Sequence, residues 1–262
     1  MIKTILLHAP LHASKADQGP AAAALALAAW TKAKVTALLF DYPLPGRPLM
    51  DPRAAAAAAT AALEARSAEL GVTVEAITSH SHAQGIHEVV ADHARLHDLV
   101  VAGSDGSGLL PERQVSEYLL FESGRPVLLV PADSRKFDFR IGAVAWDGSR
   151  AAARALGDAM PLLRDADEVV LLHFPDDKPL VGSLDLPQVE RNLRERGLTV
   201  RLHVAERGAR PIGVALSEHA VSQGAGFLVM GAFTRARLRE QLFGGATRLV
   251  LDRPTLPTLL SH

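Results

Sequence analysis

The chain has 262 residues, 48% of them hydrophobic and 22% charged, which suffices to bury one large core or two small ones and excludes a disordered or fibrous protein. Its 28 Lys and Arg oppose 29 Asp and Glu, and the resulting net charge of −1 leaves no global field for holding nucleic acid or an anionic membrane. Cysteine is absent, which removes disulfides, thiolate metal sites and cysteine nucleophiles.

Met1 to Ala13 (MIKTILLHAPLHA) starts as a strand and turns polar too early for a secretory leader, so a cytoplasmic protein is expected. Ala21 to Trp30 (AAAALALAAW) falls well short of the roughly 18 to 20 apolar residues of a membrane helix and is read as the buried face of a soluble one. Val35 to Phe40 (VTALLF) is a second strand. Glu69-Leu70-Gly71 then closes a helical stretch, the glycine acting as its cap, and a β-branched run follows from Val72. Histidines cluster at His80, His82, His87, His93 and His97, and His93 and His97 have the i, i+4 spacing of two ligands on a predicted helix. Neither HExxH nor cysteine accompanies them, and His97 beside Asp98 suits a helix end whose carbonyls it satisfies, so no metal is assigned. Leu99 to Gly103 and Val127 to Val130 are two further strands, apolar on both faces.

The same series returns roughly 130 residues later, the mark of a duplicated unit. Val169 to Phe174 repeats Val35 to Phe40, Glu195 to Val200 repeats Glu69 to Val74, Phe227 to Gly231 repeats Leu99 to Gly103, and Leu256 to His262 repeats Arg125 to Pro131. Each copy alternates strand and helix, beginning and ending on a strand. The predicted fold is therefore α/β: two tandem open, mainly parallel five-stranded sheets flanked by helices. The polar stretch Ala132 to Lys136 divides them into domains 1–134 and 135–262, expected to pack as an intrachain pseudo-dimer, with a homodimer through terminal strands as a further expectation.

Ligands of open parallel sheets bind beyond the carboxyl ends of the strands. In the second copy the first strand, from Ile141, ends in Asp147-Gly148-Ser149, where the carboxylate suits a ribose hydroxyl or adenine amine; Asp147 or Ser149 equally suits a plain helix cap. After the fourth strand come Gly231, Thr234 and Gly244-Gly245-Ala246-Thr247, where glycines and a helix N-terminus bring backbone amides toward a phosphate. Neither GxxxxGK[ST] nor GxGxxG is present.

These residues resemble the universal stress proteins in their tandem form, over essentially the whole chain. Nucleotide-binding members carry glycine, two residues, glycine, nine residues, then glycine and Ser or Thr, and this sequence keeps that spacing through Gly231, Thr234 and Gly244. AWDGS at Ala145 to Ser149, VVLLHF at Val169 to Phe174 and VMGAF through GGATRLVL at Val229 to Leu251 carry the rest of the likeness. The resemblance implies an adenine nucleotide alpha hydrolase-like fold that binds ATP or AMP, with magnesium. Ala145, Trp146 and Asp147 would line the adenosine pocket, and Phe174 would meet adenine through its backbone. Met230, Gly231, Thr234, Gly244, Gly245, Ala246 and Thr247 would surround ribose and phosphates. Thr234 replaces the family's second glycine, and Gly245 replaces its hydroxyl residue, for which Thr247 is a nearby substitute. Gly226, before the fourth strand, stands where relatives often have aspartate and is read as drift.

The first copy departs further. Its first strand ends in His8-Ala9-Pro10 without a carboxylate, and Ser116-Glu117 replace the glycine and hydroxyl, so Glu117 would repel a phosphate. It is expected to bind no nucleotide. Arg235, Arg237, Arg239 and Arg248 form a local basic patch, but with 5% aromatic residues the chain lacks a nucleic-acid platform. Glu168, Asp176 and Asp177 read as loop and strand-edge charges rather than acid, base or magnesium ligands, and no GxSxG elbow occurs. The expected function is a stress-response module that binds adenine nucleotide in the second domain, contacts a protein partner, and at most hydrolyses ATP slowly. The alternative is a nucleotide-free interaction module of the same fold.

Overall fold

A strand buried on both faces needs apolar side chains on both, and the leucine- and valine-rich runs of this chain meet that demand in every central strand. The computed structural model describes residues 1–11, 15–40, 51–79, 85–104, 111–232, 247, 250–251 and 254–262. These divide into two compact units, Met1–Phe137 and Asp138–His262.

Unit 1 runs β1 (Thr4–Pro10), α1 (Gly19–Thr31), β2 (Lys34–Phe40), α2 (Pro52–Leu70), β3 (Val74–Ser79), α3 (Ile86–Ala94), β4 (Leu99–Ser104), α4 (Pro111–Glu122) and β5 (Val127–Pro131). Strand β1 lies between β2 and β4, with β3 beyond β2 and β5 beyond β4, every pair parallel. Ile5, Leu6 and Leu7 are fully buried, as are Leu38, Leu39, Val100 and Val101 on the strands alongside. Helix α1 is small and apolar enough to bury most of its circumference against this sheet. Asp51 caps α2 by accepting from the Arg53 N–H at 3.0 Å, and Gly71 ends it at φ 66°, the helix, glycine and strand series read from the sequence. The polar stretch after β5 lies against the start of α1: the Gly19 N–H donates to the Ser134 carbonyl at 2.7 Å, and Arg135 pairs with Asp17 at 2.8 Å.

Unit 2 runs β6 (Ile141–Ala145), α5 (Arg150–Leu163), β7 (Glu168–His173), α6 (Leu186–Glu195), β8 (Val200–Val204), α7 (Ile212–Ser222), β9 (Phe227–Gly231) and β10 (Thr258–Ser261). Thr247, Val250 and Leu251 are helical. The strands repeat the order of unit 1, with β6 between β7 and β9, β8 beyond β7 and β10 beyond β9, again all parallel. The duplication holds residue by residue. Ile5 faces Val35 and Leu99, and Gly142 faces Val169 and Phe227. Counting on from these pairs, Pro10 occupies the place of Asp147 and Phe40 that of Phe174.

Two sequence expectations are corrected. Helix α3 stops at Ala94, so His93 and His97 do not share a helix. His97 is buried beyond its end, with Nδ1 2.7 Å from the His93 carbonyl and Nε2 2.9 Å from Thr36 Oγ1, so both ring nitrogens are taken up by the fold. Gly226 is no drift: a Cβ there would lie 1.6 Å from the Asp138 carbonyl oxygen, and only glycine lets that chain pass into β6. His80 and His82 lie outside the described residues. Among the described residues no helix is long and apolar enough to cross a membrane.

Candidate functional site

In each unit the chain order reverses beside the first strand, and the crevice above that reversal is where open parallel sheets take ligands. In unit 2 this places the ends of β6 and β9 at the candidate site. Strand β6 runs out through Ala145, Trp146 and Asp147, all partly exposed, while the residues before them are buried. The Trp146 N–H donates to the Leu172 carbonyl at 2.9 Å, and its own carbonyl accepts from His173 Nδ1 at 3.0 Å, so the strand end is fixed from β7.

The turn that follows serves the capping role foreseen for it. Ser149 caps α5 by accepting from the Ala152 N–H at 3.2 Å, and Asp147 Oδ1 accepts from the Ser149 N–H at 2.9 Å. Gly148 sits at φ 76°, a left-handed conformation that glycine takes without strain. Burial alone would push the Asp147 carboxyl up; the hydrogen bonds from Ser149 and Lys178, with the Lys178 charge, outweigh it and hold the group below the usual carboxylate range.

Lys178 was not foreseen. Its Nζ lies 2.9 Å from Asp147 Oδ2 and reaches there from the loop joining β7 to α6. The same loop touches the turn twice more. The Val181 N–H donates to the Asp147 carbonyl at 2.8 Å, and a Cβ on Gly148 would meet the Val181 carbonyl oxygen at 2.2 Å. The Asp177 N–H also donates to the Phe174 carbonyl at 3.2 Å. At its start the loop is braced to the segment after β8: Asp176 accepts from the Arg207 and Gly208 N–H groups at 3.0 and 2.9 Å, and Asp177 lies 3.2 Å from Arg207 Nε. At its end Asp185 forms a capping box with Gln188. The segment Pro175 to Asp185 is thus a strap tied across the carboxyl end of the sheet. Glu168 pairs with Arg201 at 2.8 Å, so the three carboxylates read from sequence as structural charges all have structural partners.

Phe174 is buried, and its ring meets His219 of α7 edge-on at 5.0 Å. His219 Nδ1 lies 2.9 Å from His203 Nε2 of β8, a pair that no sequence spacing announced. On the other side of the crevice Met230 is buried and Gly231 ends β9 in partial exposure. A Cβ on Gly231 would lie 2.4 Å from the Ala151 carbonyl carbon and 2.6 Å from the Ala152 nitrogen, so this glycine lets the first turn of α5 close on β9. Thr247 is helical and buried. Thr234, Gly244, Gly245 and Ala246 lie outside the described residues, as do Arg235, Arg237, Arg239 and Arg248.

The corresponding end of unit 1 differs chemically. Pro10 replaces the carboxylate, and the residue two before it, His8, is fully buried with its ring 5.6 Å from that of Phe40. Ser116, which takes the place of Gly244, is inside α4, buried, and its hydroxyl donates to the Gly103 carbonyl at 3.4 Å.

No protein-family model and no curated protein matches the sequence. Solved structures do. A universal stress protein from Archaeoglobus fulgidus DSM 4304 superposes with a TM-score of 0.63 at 16% identity, over 98% of this chain and 97% of that one. A functionally unknown protein from Pseudomonas aeruginosa PAO1 gives 0.57 at 17% identity, over 99% and 92%. A provisionally assigned universal stress protein from Pseudomonas aeruginosa UCBPP-PA14 gives 0.58 at 20%, over 99% and 93%. This chain has the tandem universal stress protein fold.

Proposed function

We propose that unit 2 binds an adenine nucleotide, ATP or AMP, and that the protein acts as a stress-response module whose nucleotide state is read by a protein partner. One observation carries the reading: at a shared register position beside the topological reversal, unit 2 presents the half-buried carboxylate of Asp147 where unit 1 presents Pro10. Asp147 would accept from the ribose or adenine, Ala145 and Trp146 would line the pocket, and the Phe174 backbone would meet the base. Met230, Gly231 and Thr247 would adjoin ribose and phosphates together with Thr234, Gly244, Gly245 and Ala246. Magnesium would arrive with the phosphates, because Asp176 and Asp177 already serve Arg207 and Gly208. Asp147 is a poor general base, since the hydrogen bonds and charge around it favour the ionised form. The proposed role is binding, with at most slow hydrolysis. In unit 1 the buried Ser116 against Gly103 and Pro10 in place of the carboxylate support a unit without nucleotide.

A second reading, a nucleotide-free interaction module, has one observation in its favour: Lys178 already holds Asp147. Thermal unfolding separates the two. ATP at about 100 times its dissociation constant stabilises a binding unit by about 2.7 kcal/mol and raises Tm by several degrees. An unchanged Tm up to millimolar ATP selects the second reading.

A further inference from the structure

The strap between β7 and α6 meets the acceptors that an adenosine would use. The Lys178 ammonium is on Asp147 Oδ2, the Val181 N–H on the Asp147 carbonyl, and the Asp177 N–H on the Phe174 carbonyl. Of these three donors only Lys178 carries a charge and a flexible stem, and its side chain is 46% exposed. A ribose hydroxyl that takes over Asp147 Oδ2 competes with the ammonium for that oxygen. A neutral nucleoside offers that ammonium only water in exchange, and the ion pair is lost. A phosphorylated nucleoside brings an anion of its own, to which the ammonium can pass from the carboxylate so that both charges stay paired.

We infer that Lys178 is the residue that makes this site select phosphorylated adenosine over adenosine, by passing from Asp147 to the ligand phosphate as the ribose takes the carboxylate. The inference rests on the nucleotide reading of unit 2 and adds to it a specificity-determining residue. It also assigns a role to the strap: the Val181 N–H on the Asp147 carbonyl and the Asp176 and Asp177 carboxylates on Arg207 hold Lys178 beside Asp147. Selectivity then comes from exchanged pairing rather than from a new pocket.

Calorimetric titration of the full chain with AMP and with adenosine, for wild type, Lys178→Met and Lys178→Arg, tests this. Methionine keeps most of the apolar stem and removes the charge; arginine keeps the charge. Wild type should prefer AMP, and Lys178→Met should lose on the order of tenfold in AMP affinity while holding or gaining adenosine affinity, so that the ratio collapses. Lys178→Arg should retain most of the ratio. An AMP-to-adenosine ratio unchanged in Lys178→Met overturns the inference while leaving nucleotide binding in place. An equal gain for both ligands also overturns it, making the lysine a competitor only. If wild type binds neither ligand, the nucleotide reading falls and this inference with it.

Discussion

Gly231, the last residue of β9, packs against the backbone of Ala151 in the first turn of α5, so closely that a Cβ would lie 2.4 Å from the Ala151 carbonyl carbon. The contact joins the two elements that frame the candidate site. Backbone cannot yield as a flexible side chain can, so Gly231→Ala should destabilise unit 2 by about 1–3 kcal/mol through overpacking. Gly157, inside α5 with nothing within 4 Å of its would-be Cβ, is the control: Gly157→Ala should stabilise by about 0.5–1 kcal/mol through helix propensity. Chemical denaturation of both variants checks the pair, and equal effects would mean that the close approach at Gly231 is not a constraint.

Gly226→Asp restores the residue that the family resemblance suggests and should nonetheless be among the most damaging single changes in unit 2. Its Cβ would sit 1.6 Å from the Asp138 carbonyl oxygen, on the segment that leads into β6. A loss above about 3 kcal/mol, or failure to fold, is expected because one of two backbones must move. Solubility and circular dichroism of the purified variant decide it, and a well-folded protein with wild-type Tm would show that the crossing relaxes freely.

Much of this fold was readable because the strands are apolar on both faces and the chain repeats itself. Val35 to Phe40 and Val169 to Phe174 announced the same strand twice, and register pairing places both phenylalanines at the same position. Gly71 and Ser149 act as the cap residues that their types suggest. What stayed hidden depends on distance through space. Lys178 lies in a polar loop with no periodicity, 31 positions after Asp147, and nothing local marks it as that carboxylate's partner. His203 and His219 belong to a strand and a helix whose packing no spacing rule encodes. Gly226 looked dispensable because its reason is the Asp138 carbonyl on a different segment. The i, i+4 histidines failed for the opposite cause: a local pattern was visible, but α3 ended before His97.

Asp147→Ala should weaken ATP binding by at least about tenfold, the value of one hydrogen bond to a charged group. The fold should survive with a loss of about 1 kcal/mol, since the Lys178 partner is solvent-exposed and such pairs contribute little. Asp147 is held below the usual carboxylate range, so its ionised form dominates at neutral pH and its contribution to binding is lost only as pH falls through that lowered value. ATP affinity of wild type should therefore be flat with respect to this group from pH 8 to roughly pH 5. Calorimetry on wild type and variant gives both numbers. Equal affinity in the two proteins would remove Asp147 from the site.

The His203–His219 pair makes stability depend on pH in a direction that its environment fixes. A hydrogen bond between two imidazole nitrogens needs at least one ring neutral, and protonating both sets like charges 2.9 Å apart. Burial depresses His203 below the usual histidine value, and the charges of His219 and Arg201 depress it further; Phe174, edge-on to His219, supplies no counter-charge. In the unfolded chain the same histidine takes up its proton at a higher pH. The unfolded state therefore binds more protons in the interval between the two values, and stability rises with pH across it. The contribution of His203 is complete above about pH 6.5, its unperturbed value, and is lost as pH falls through the depressed one. His203→Gln keeps a hydrogen-bonding side chain without a titration in this range, so the variant should show a shallower fall in Tm between pH 7.5 and 5 than wild type. Because Phe174 rests on His219, the same acid range should loosen the β7 end from which the strap departs, and exchange of strap amides should quicken in wild type but not in the variant. Superimposable Tm profiles for the two proteins would remove the pair as the source of acid sensitivity.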